Sequence, residues 1–117
     1  MNNQMKETEE LKMDVTLIKR ASLVLRAVNH KLRQDIIRLI HEHGRMTVTD
    51  IYRKLDVEQS VASQHLGILR SVGVVLTERE GKYIFYSINY DRLKDIHTRA
   101  DQLIQFNHKR NQHLVLN

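Results

Sequence analysis

The stretch SVASQHLGILRSVGVV, residues 60–75, has the spacing of a helix with one apolar face. Its apolar residues recur at intervals of four, three and three positions, which places them on one side of an α-helix. These residues are Ala62, Leu66, Leu69 and Val72. Gly73 follows directly, and glycine is favoured just past a helix end. The stretch is therefore predicted to pack its apolar side inward and to end at Gly73.

The opposite side of this helix carries short hydroxyl and amide side chains near its N-terminal end. They are Gln59, Ser60, Ser63 and Gln64, with His65 at the flank. Gln can hydrogen-bond the N6/N7 edge of adenine, Ser can bind bases or phosphates, and a helix N-terminus favours a phosphate. An ordinary surface helix also has a polar outer face, so DNA contact at these five residues is a hypothesis that depends on the surrounding elements.

Helical spacing predicts further helices on both sides of this stretch. The first runs over about 14–29, and the second stops at Gly44. A short third helix follows, which either Thr47 or Thr49 can cap. The last helix runs over about 90–113.

After Gly73 the apolar period changes to two, which is typical of β-strands. The runs VVLTERE, residues 74–80, and KYIFYSI, residues 82–88, are predicted to form a hairpin with Arg79 and Lys82 at its basic tip. The predicted fold is mainly α with a small β-hairpin, in the order α-α-α-α-β-β-α. Two short helices, a tight turn and a hairpin make a winged helix-turn-helix, whose second helix fits the DNA major groove. The tip can then lie along the DNA backbone or minor groove.

The domain organisation expected from these patterns is simple. Residues 1–13 are polar and lack an apolar stripe, so we expect a flexible N-terminal arm. Residues 14–113 are expected to form a single DNA-binding and dimerisation domain, and residues 114–117 a C-terminal tail. A chain of 117 residues with 41% hydrophobic residues fits one domain with a small core.

The composition narrows the class of protein. With no cysteine, disulfides and thiolate metal sites are excluded. A net charge of +5, from 19 basic and 14 acidic residues, suits an anionic partner such as double-stranded DNA. No apolar run approaches the roughly 20 residues of a membrane span, so we expect a cytoplasmic protein without a membrane partner. No nucleophile, base and orienting group occur in a recognisable set, so we expect no enzyme.

Residues 23–88 resemble the ArsR/SmtB family of small dimeric bacterial repressors. The segment AVNHKLRQDIIRLI resembles the family's opening helix pair, with Arg33 at the place of a usual arginine. MTVTDIYRKLDVEQSVASQHLGILRSVGVV resembles its helix-turn-helix, and EREGKYIFYSIN resembles its wing. The chain departs from the family pattern at His30–Lys31, at Gln64 and at Gly67, which leaves the base preference open.

The resemblance implies a homodimer that binds an inverted-repeat operator. The first and last helices carry more apolar residues than a small core needs, so their surplus is predicted to form a twofold interface. The predicted interface residues are Leu17, Ile18, Val24, Leu93, Ile96, Ala100, Leu103 and Ile104. Packing within one chain is the alternative for these residues.

The resemblance also raises two kinds of metal site. Some family members bind metal through paired cysteines at the positions where this chain has Thr47 and Thr49. A hydroxyl does not replace a soft thiolate as a metal ligand, so we expect no metal site at these positions. A second site of the family, on the last helix, would use Asp95, His97 and His108, with zinc or nickel as the metal. His97 and His108 share a helix face but lie about 16 Å apart along it, so only an antiparallel partner helix could complete the site. The alternatives are that these histidines are solvated, or that His97 pairs with Asp101 one turn further along the helix.

Three functions remain open from the sequence, of which the third is a metal-binding or metal-dependent hydrolytic protein that uses the seven histidines and is tested by the zinc stoichiometry at neutral pH. The first is a sequence-specific DNA-binding transcriptional regulator, expected to be a repressor, with or without a response to metal. The second is a winged-helix protein-interaction module that binds DNA weakly or not at all. The modest charge and Gln64, where the family often has an arginine, favour the second slightly. A salt titration distinguishes the DNA-binding regulator from the interaction module, because DNA affinity falls steeply with rising salt only where phosphates are neutralised.

Overall fold

Within the described residues, five helices and three short strands form a winged helix-turn-helix. The computed structural model describes the backbone of residues 2–116 and the side chains of residues 14–105. The elements are α1 (Asn2–Val28), α2 (Lys31–His43), β1 (Arg45–Thr47), α3 (Val48–Leu55), α4 (Gln59–Ser71), β2 (Val75–Glu80), β3 (Tyr83–Ile88) and α5 (Tyr90–Leu116). The predicted fold class is confirmed, with one additional strand. None of the helices searched in this part of the chain is long and apolar enough to cross a membrane.

Both terminal helices extend further than the sequence pattern predicted. The backbone is helical from Asn2 through the expected arm, 1–13, and to Leu116 in the expected tail, 114–117. Neither segment contains glycine or proline, and residues 4–13 are mostly strong helix formers such as Gln, Glu, Lys, Leu and Met. Helix propensity therefore continues the two helices past the point where the apolar stripe ends. The division into arm, domain and tail stays a prediction.

The wing belongs to a three-stranded antiparallel sheet instead of the two-stranded hairpin that was predicted. The strand order is β1-β3-β2, because β1 pairs with the outer edge of β3 through Met46 and Tyr86. Three residues are too few to show a period of two, so the sequence pattern gave no indication of β1. This strand joins the base of the wing to the helix-turn-helix.

The core lies between α2, α3, α4 and the inner face of the sheet. Its fully buried side chains are Ile36, Ile40, Ile51, Leu66, Leu69, Val74 and Val75. Ala62, Leu66 and Leu69 each have an exposed fraction of 0%, so the predicted inward face of α4 is confirmed. Burying one such leucine contributes about 1.5–3 kcal/mol to stability.

Local caps set the ends of the helices that surround this core. Of the two predicted candidates, Thr47 and not Thr49 caps α3, by accepting a hydrogen bond from the Asp50 backbone N–H at 3.3 Å. Arg33 donates to the Ala27 carbonyl at 3.0 Å, one of the carbonyls left without an intrahelical partner at the end of α1. Gly44 ends α2 with a φ of 85°, a conformation that glycine adopts at little cost.

Candidate nucleic-acid interface

The outer face of α4 presents the predicted polar side chains to solvent. Gln59, Ser60, Ser63 and Gln64 are all exposed, while the leucines on the other side anchor the helix in the core. Because these anchors are rigidly packed, the backbone that bears the exposed side chains keeps a fixed position relative to the domain. Amides and hydroxyls at one end of an exposed helix can hydrogen-bond base edges and phosphates.

The first-turn N–H groups at the N-terminal end of α4 have no side-chain cap. Glu58 occupies the N-cap position but makes no side-chain cap hydrogen bond, and the first turn of α4 contains no acidic residue. Backbone N–H groups in the first turn of a helix lack intrahelical partners and carry a partial positive charge. A DNA phosphate can therefore bind at this end of the helix.

The basic tip of the wing lies at the turn between β2 and β3. Arg79 and Lys82 are exposed, on either side of Gly81, whose φ of 62° permits the tight turn. The Arg79 Nε donates to the Gly81 carbonyl at 3.3 Å, and the Lys82 ammonium lies 5.3 Å from the Tyr83 ring centroid. Both charges remain free to approach phosphates.

The wing is braced by a cluster that the sequence analysis missed. Arg45 of β1 donates to Glu80 of β2 at 2.6 Å, and its guanidinium lies 4.2 Å from the Phe85 ring centroid of β3. The polar-apolar-polar order of Arg45, Met46 and Thr47 directly after Gly44 is too short to predict a strand. Only the paired sheet brings Arg45 close to Glu80.

His65 is the exception among the predicted DNA contacts, because it turns toward α2. It is half-buried, and its ring centroid lies 4.8 Å from that of His30. Its Nδ1 atom is buried without a hydrogen-bond partner. Desolvation lowers the pKa of His65 below the ordinary value of 6.5, and the nearby charges of His30 and Arg33 lower it further. A contact of His65 with DNA stays a prediction.

Comparison with known proteins identifies the class of this fold. A family model described as a helix-turn-helix domain matches residues 29–78. The HTH-type transcriptional regulator MJ1325 of Methanocaldococcus jannaschii is 36% identical over 84 residues, covering 72% of this chain and 94% of that protein. The transcriptional repressor PagR of Bacillus anthracis is 34% identical over 73 residues, covering 62% of this chain and 73% of PagR.

Solved structures agree with the sequence matches. The crystal structure of PagR superposes with a TM-score of 0.55 at 36% identity, covering 64% of this chain and 84% of that one. An ArsR-like transcriptional regulator from Rhodococcus sp. RHA1 has the same fold, with a TM-score of 0.72 at 16% identity over 85% of this chain and 92% of that one. The chain belongs to the ArsR/SmtB family of winged helix-turn-helix transcriptional regulators. This family consists of DNA-binding regulators of transcription, not of enzymes.

The predicted dimer seam of this ArsR/SmtB-family regulator divides into two groups. Ile96 is buried in the core of the single chain, and Val24 and Leu93 pack half-buried against it. Ala100 is also half-buried. The other four are more than half exposed: Leu17 60%, Ile18 64%, Leu103 61% and Ile104 67%. The exposed group is the part of the predicted seam that residues 14–105 of the single chain leave uncovered.

The predicted metal ligands do not come together within the described residues. Both Asp95 carboxylate oxygens are engaged, by Arg99 at 3.0 Å and by Arg92 at 3.2 Å. His97 faces the cleft between α2 and α5, and His108 lies outside the described side chains. Among residues 14–105, no three His, Asp or Glu side chains are placed to hold one ion. This part of a single chain does not fit zinc or nickel, and a site shared between two subunits stays a prediction.

Proposed function

We propose that this regulator is a homodimeric repressor that binds an inverted-repeat operator through α4 and the wing of each subunit. The observation that carries the proposal is the orientation of α4, with buried leucines on one side and exposed amides and hydroxyls on the other. A helix presented in this way can enter a major groove about 12 Å wide without any loss of core packing.

The polar side chains divide into readers of sequence and binders of the backbone. Gln59 and Gln64 are suited to read bases, since an amide can pair with adenine through two hydrogen bonds. Ser60 and Ser63 can serve bases or phosphates. Arg79 and Lys82 at the wing tip neutralise phosphates, which positions the protein without reading sequence.

The homodimer is supported by the exposed apolar side chains of α1 and α5. Leu17, Ile18, Leu103 and Ile104 lie on the two long helices, and large exposed apolar patches mark interaction surfaces. A twofold partner would cover them with the same residues of its own helices. Two copies of α4 would then reach major grooves about 34 Å apart, which requires an inverted repeat. The similarity to PagR, itself named a transcriptional repressor, supports repression.

A binding-site selection on random duplex DNA, followed by a salt titration on the enriched sequence, tests the proposal. We expect an inverted repeat whose affinity falls steeply with salt as phosphate-bound counterions are released. Ser63→Glu should abolish binding by bringing a carboxylate against the DNA, whereas Thr98→Glu on exposed α5 should leave binding intact. Weak binding to every duplex with little salt dependence would favour a protein-interaction module instead.

A further inference from the structure

The turn that follows the recognition helix is tightly tied to its neighbours. Val72 is the C-cap residue of α4, directly after Ser71, and Gly73 follows with a φ of 78°. The Gly73 N–H donates to the Arg70 carbonyl at 3.0 Å, and the Val74 N–H donates to the Leu69 carbonyl at 3.0 Å. These bonds satisfy carbonyls at the C-terminal end of α4, but they leave the Val72 carbonyl for another donor.

That donor comes from the start of α5. The Arg92 Nε donates to the Val72 carbonyl at 3.0 Å. A second bond runs along the same path, because the Asn89 N–H donates to the Val74 carbonyl at 2.8 Å. Asn89 in turn accepts from the Arg92 backbone N–H at 3.2 Å. Arg92 in the first turn of α5 and Asn89 directly before it thus bond to the residues on both sides of Gly73.

The Arg92 side chain is held in this position by two further contacts. Its Nη1 donates to the Asp95 carboxylate at 3.2 Å, one turn further along α5. Its stem also lies over the turn, since a Cβ atom at Gly73 would be 3.8 Å from both the Cγ and the Nε of Arg92. Arg92 therefore donates to the Val72 carbonyl from its Nε and to Asp95 from its Nη1, two N–H groups that the planar fork of an arginine holds in fixed directions.

We propose that Arg92 is a positioning residue for operator recognition, which fixes the recognition helix relative to α5 without touching DNA. The inference rests on the proposed DNA-binding function, because α5 carries half of the dimer seam and α4 carries the base contacts. A helix of 13 residues is about 20 Å long. Arg92 therefore lies roughly that far from the end of α4 where Gln59 and Ser60 are exposed.

The physical consequence is a fixed spacing between the two recognition helices of a dimer. If α4 can tilt against α5, each subunit must lose that freedom when it binds, and the ordering lowers affinity. A positive group beside the last carbonyls of a helix also interacts favourably with the helix dipole. Loss of Arg92 should therefore weaken operator binding although no protein–DNA contact is removed.

The test compares Arg92→Met with Arg99→Met in the full-length chain. Both variants remove one arginine that is paired with Asp95, but only Arg92 reaches α4. We expect Arg92→Met to weaken operator affinity by about tenfold, in the range of one charged hydrogen bond, with an unchanged slope of log affinity against log salt. Arg99→Met should leave affinity unchanged. Arg92→Lys, which keeps the charge and hydrogen-bond donors but lacks the rigid fork of the guanidinium, should lie between wild type and Arg92→Met.

Two results would overturn the inference. Wild-type affinity in Arg92→Met would show that the bond to Val72 does not position α4. A salt slope lowered by about one would show a direct phosphate contact instead.

Amide hydrogen exchange of the free protein supplies a readout that does not depend on DNA. Exchange at Gly73 and Val74 should be faster in Arg92→Met than in wild type, while the amide of core residue Ile36 should stay protected. Unchanged exchange at both positions would contradict the inference. Where Arg92→Met does not fold, the same measurement applies to Arg92→Lys. If wild type binds no operator, the proposed function fails, and exchange alone still tests the role of Arg92.

Discussion

Arg45 and Glu80, 35 residues apart in the chain, form an ion pair of 2.6 Å across the outer face of the sheet. The Phe85 ring on the central strand lies beneath the guanidinium, at 4.2 Å. One contact set thus joins all three strands and ties the wing tip to the end of α2. Because the wing carries the basic residues Arg79 and Lys82, this brace sets where their charges stand relative to α4.

A double-mutant cycle on Arg45 and Glu80 measures the strength of this brace. We expect Arg45→Met and Glu80→Gln to show a coupling of about 0.5–1 kcal/mol in the free energy of unfolding, since the pair is exposed. The coupling should shrink in 1 M salt, where charges are screened. Arg38 lies on α2 and pairs with Asp35, so Arg38→Met serves as the control. Its effect on the free energy of unfolding should add to that of Glu80→Gln without any coupling. Strict additivity of the Arg45 and Glu80 variants would contradict the brace.

Lys82→Ala should weaken binding to every duplex by the same factor. Lys82 stands at the wing tip as a point charge, and a phosphate contact carries no sequence information. The slope of log affinity against log salt should fall by about one, as measured by fluorescence anisotropy over a series of salt concentrations. Lys94→Ala on exposed α5 is the matched control and should leave the slope unchanged. A change in the ranking of operator sequences would mean that Lys82 reads bases.

Charged substitutions on the two long helices should separate the subunits. Leu17→Lys or Ile104→Lys places an ammonium in the proposed apolar seam, where an unpaired charge is costly to bury. Sedimentation equilibrium at micromolar concentration should find a dimer for wild type and a monomer for either variant. Leu76→Lys, at a position 49% exposed on the wing, controls for a general effect of the substitution and should remain dimeric. A wild-type monomer at the same concentration would contradict the interface.

The buried edge of His65 predicts a pH-dependent stability. Its pKa in the folded chain is lowered from 6.5, so the unfolded chain binds more protons as pH falls below that value. Its contribution to stability is therefore full above pH 6.5 and is lost as pH falls toward the folded pKa. Urea unfolding of wild type should show declining stability over this range, and His65→Gln should flatten the decline. His43→Gln, at an exposed position, should keep the wild-type profile, and a decline that persists in His65→Gln would contradict the assignment.

Much of the fold follows from local patterns that a single sequence displays. The spacing of Leu66 and Leu69 predicted the inner face of α4 because a helix of 3.6 residues per turn leaves only one face for them. Thr47 and Gly44 marked helix ends by the chemistry of their own side chains and backbone. These elements depend on neighbours within a few residues, and the structure agrees with them.

The remainder depends on contacts between distant parts of the chain. Arg45 meets Glu80, and Arg92 meets the Val72 carbonyl, only after the sheet and α5 have packed. His65 turns toward His30, 35 positions away, although its place beside Gln64 indicated a flank that faces DNA. No period or motif encodes such pairs, which is why the sequence predicted the polar face of α4 but not the braces that position it.

A comparison of Gln64→Ala with wild type tests whether the polar face of α4 enters the operator groove. The measurement is the affinity of wild type and variant for the selected operator and for every single base-pair change in one half-site. We predict a loss of about 1–3 kcal/mol in operator affinity and a relaxed preference at one base pair in each half-site. Gln102 is an exposed amide on α5, so Gln102→Ala should keep the wild-type operator affinity and the wild-type base preference. Wild-type affinity and an unchanged preference at every position in Gln64→Ala would contradict the account.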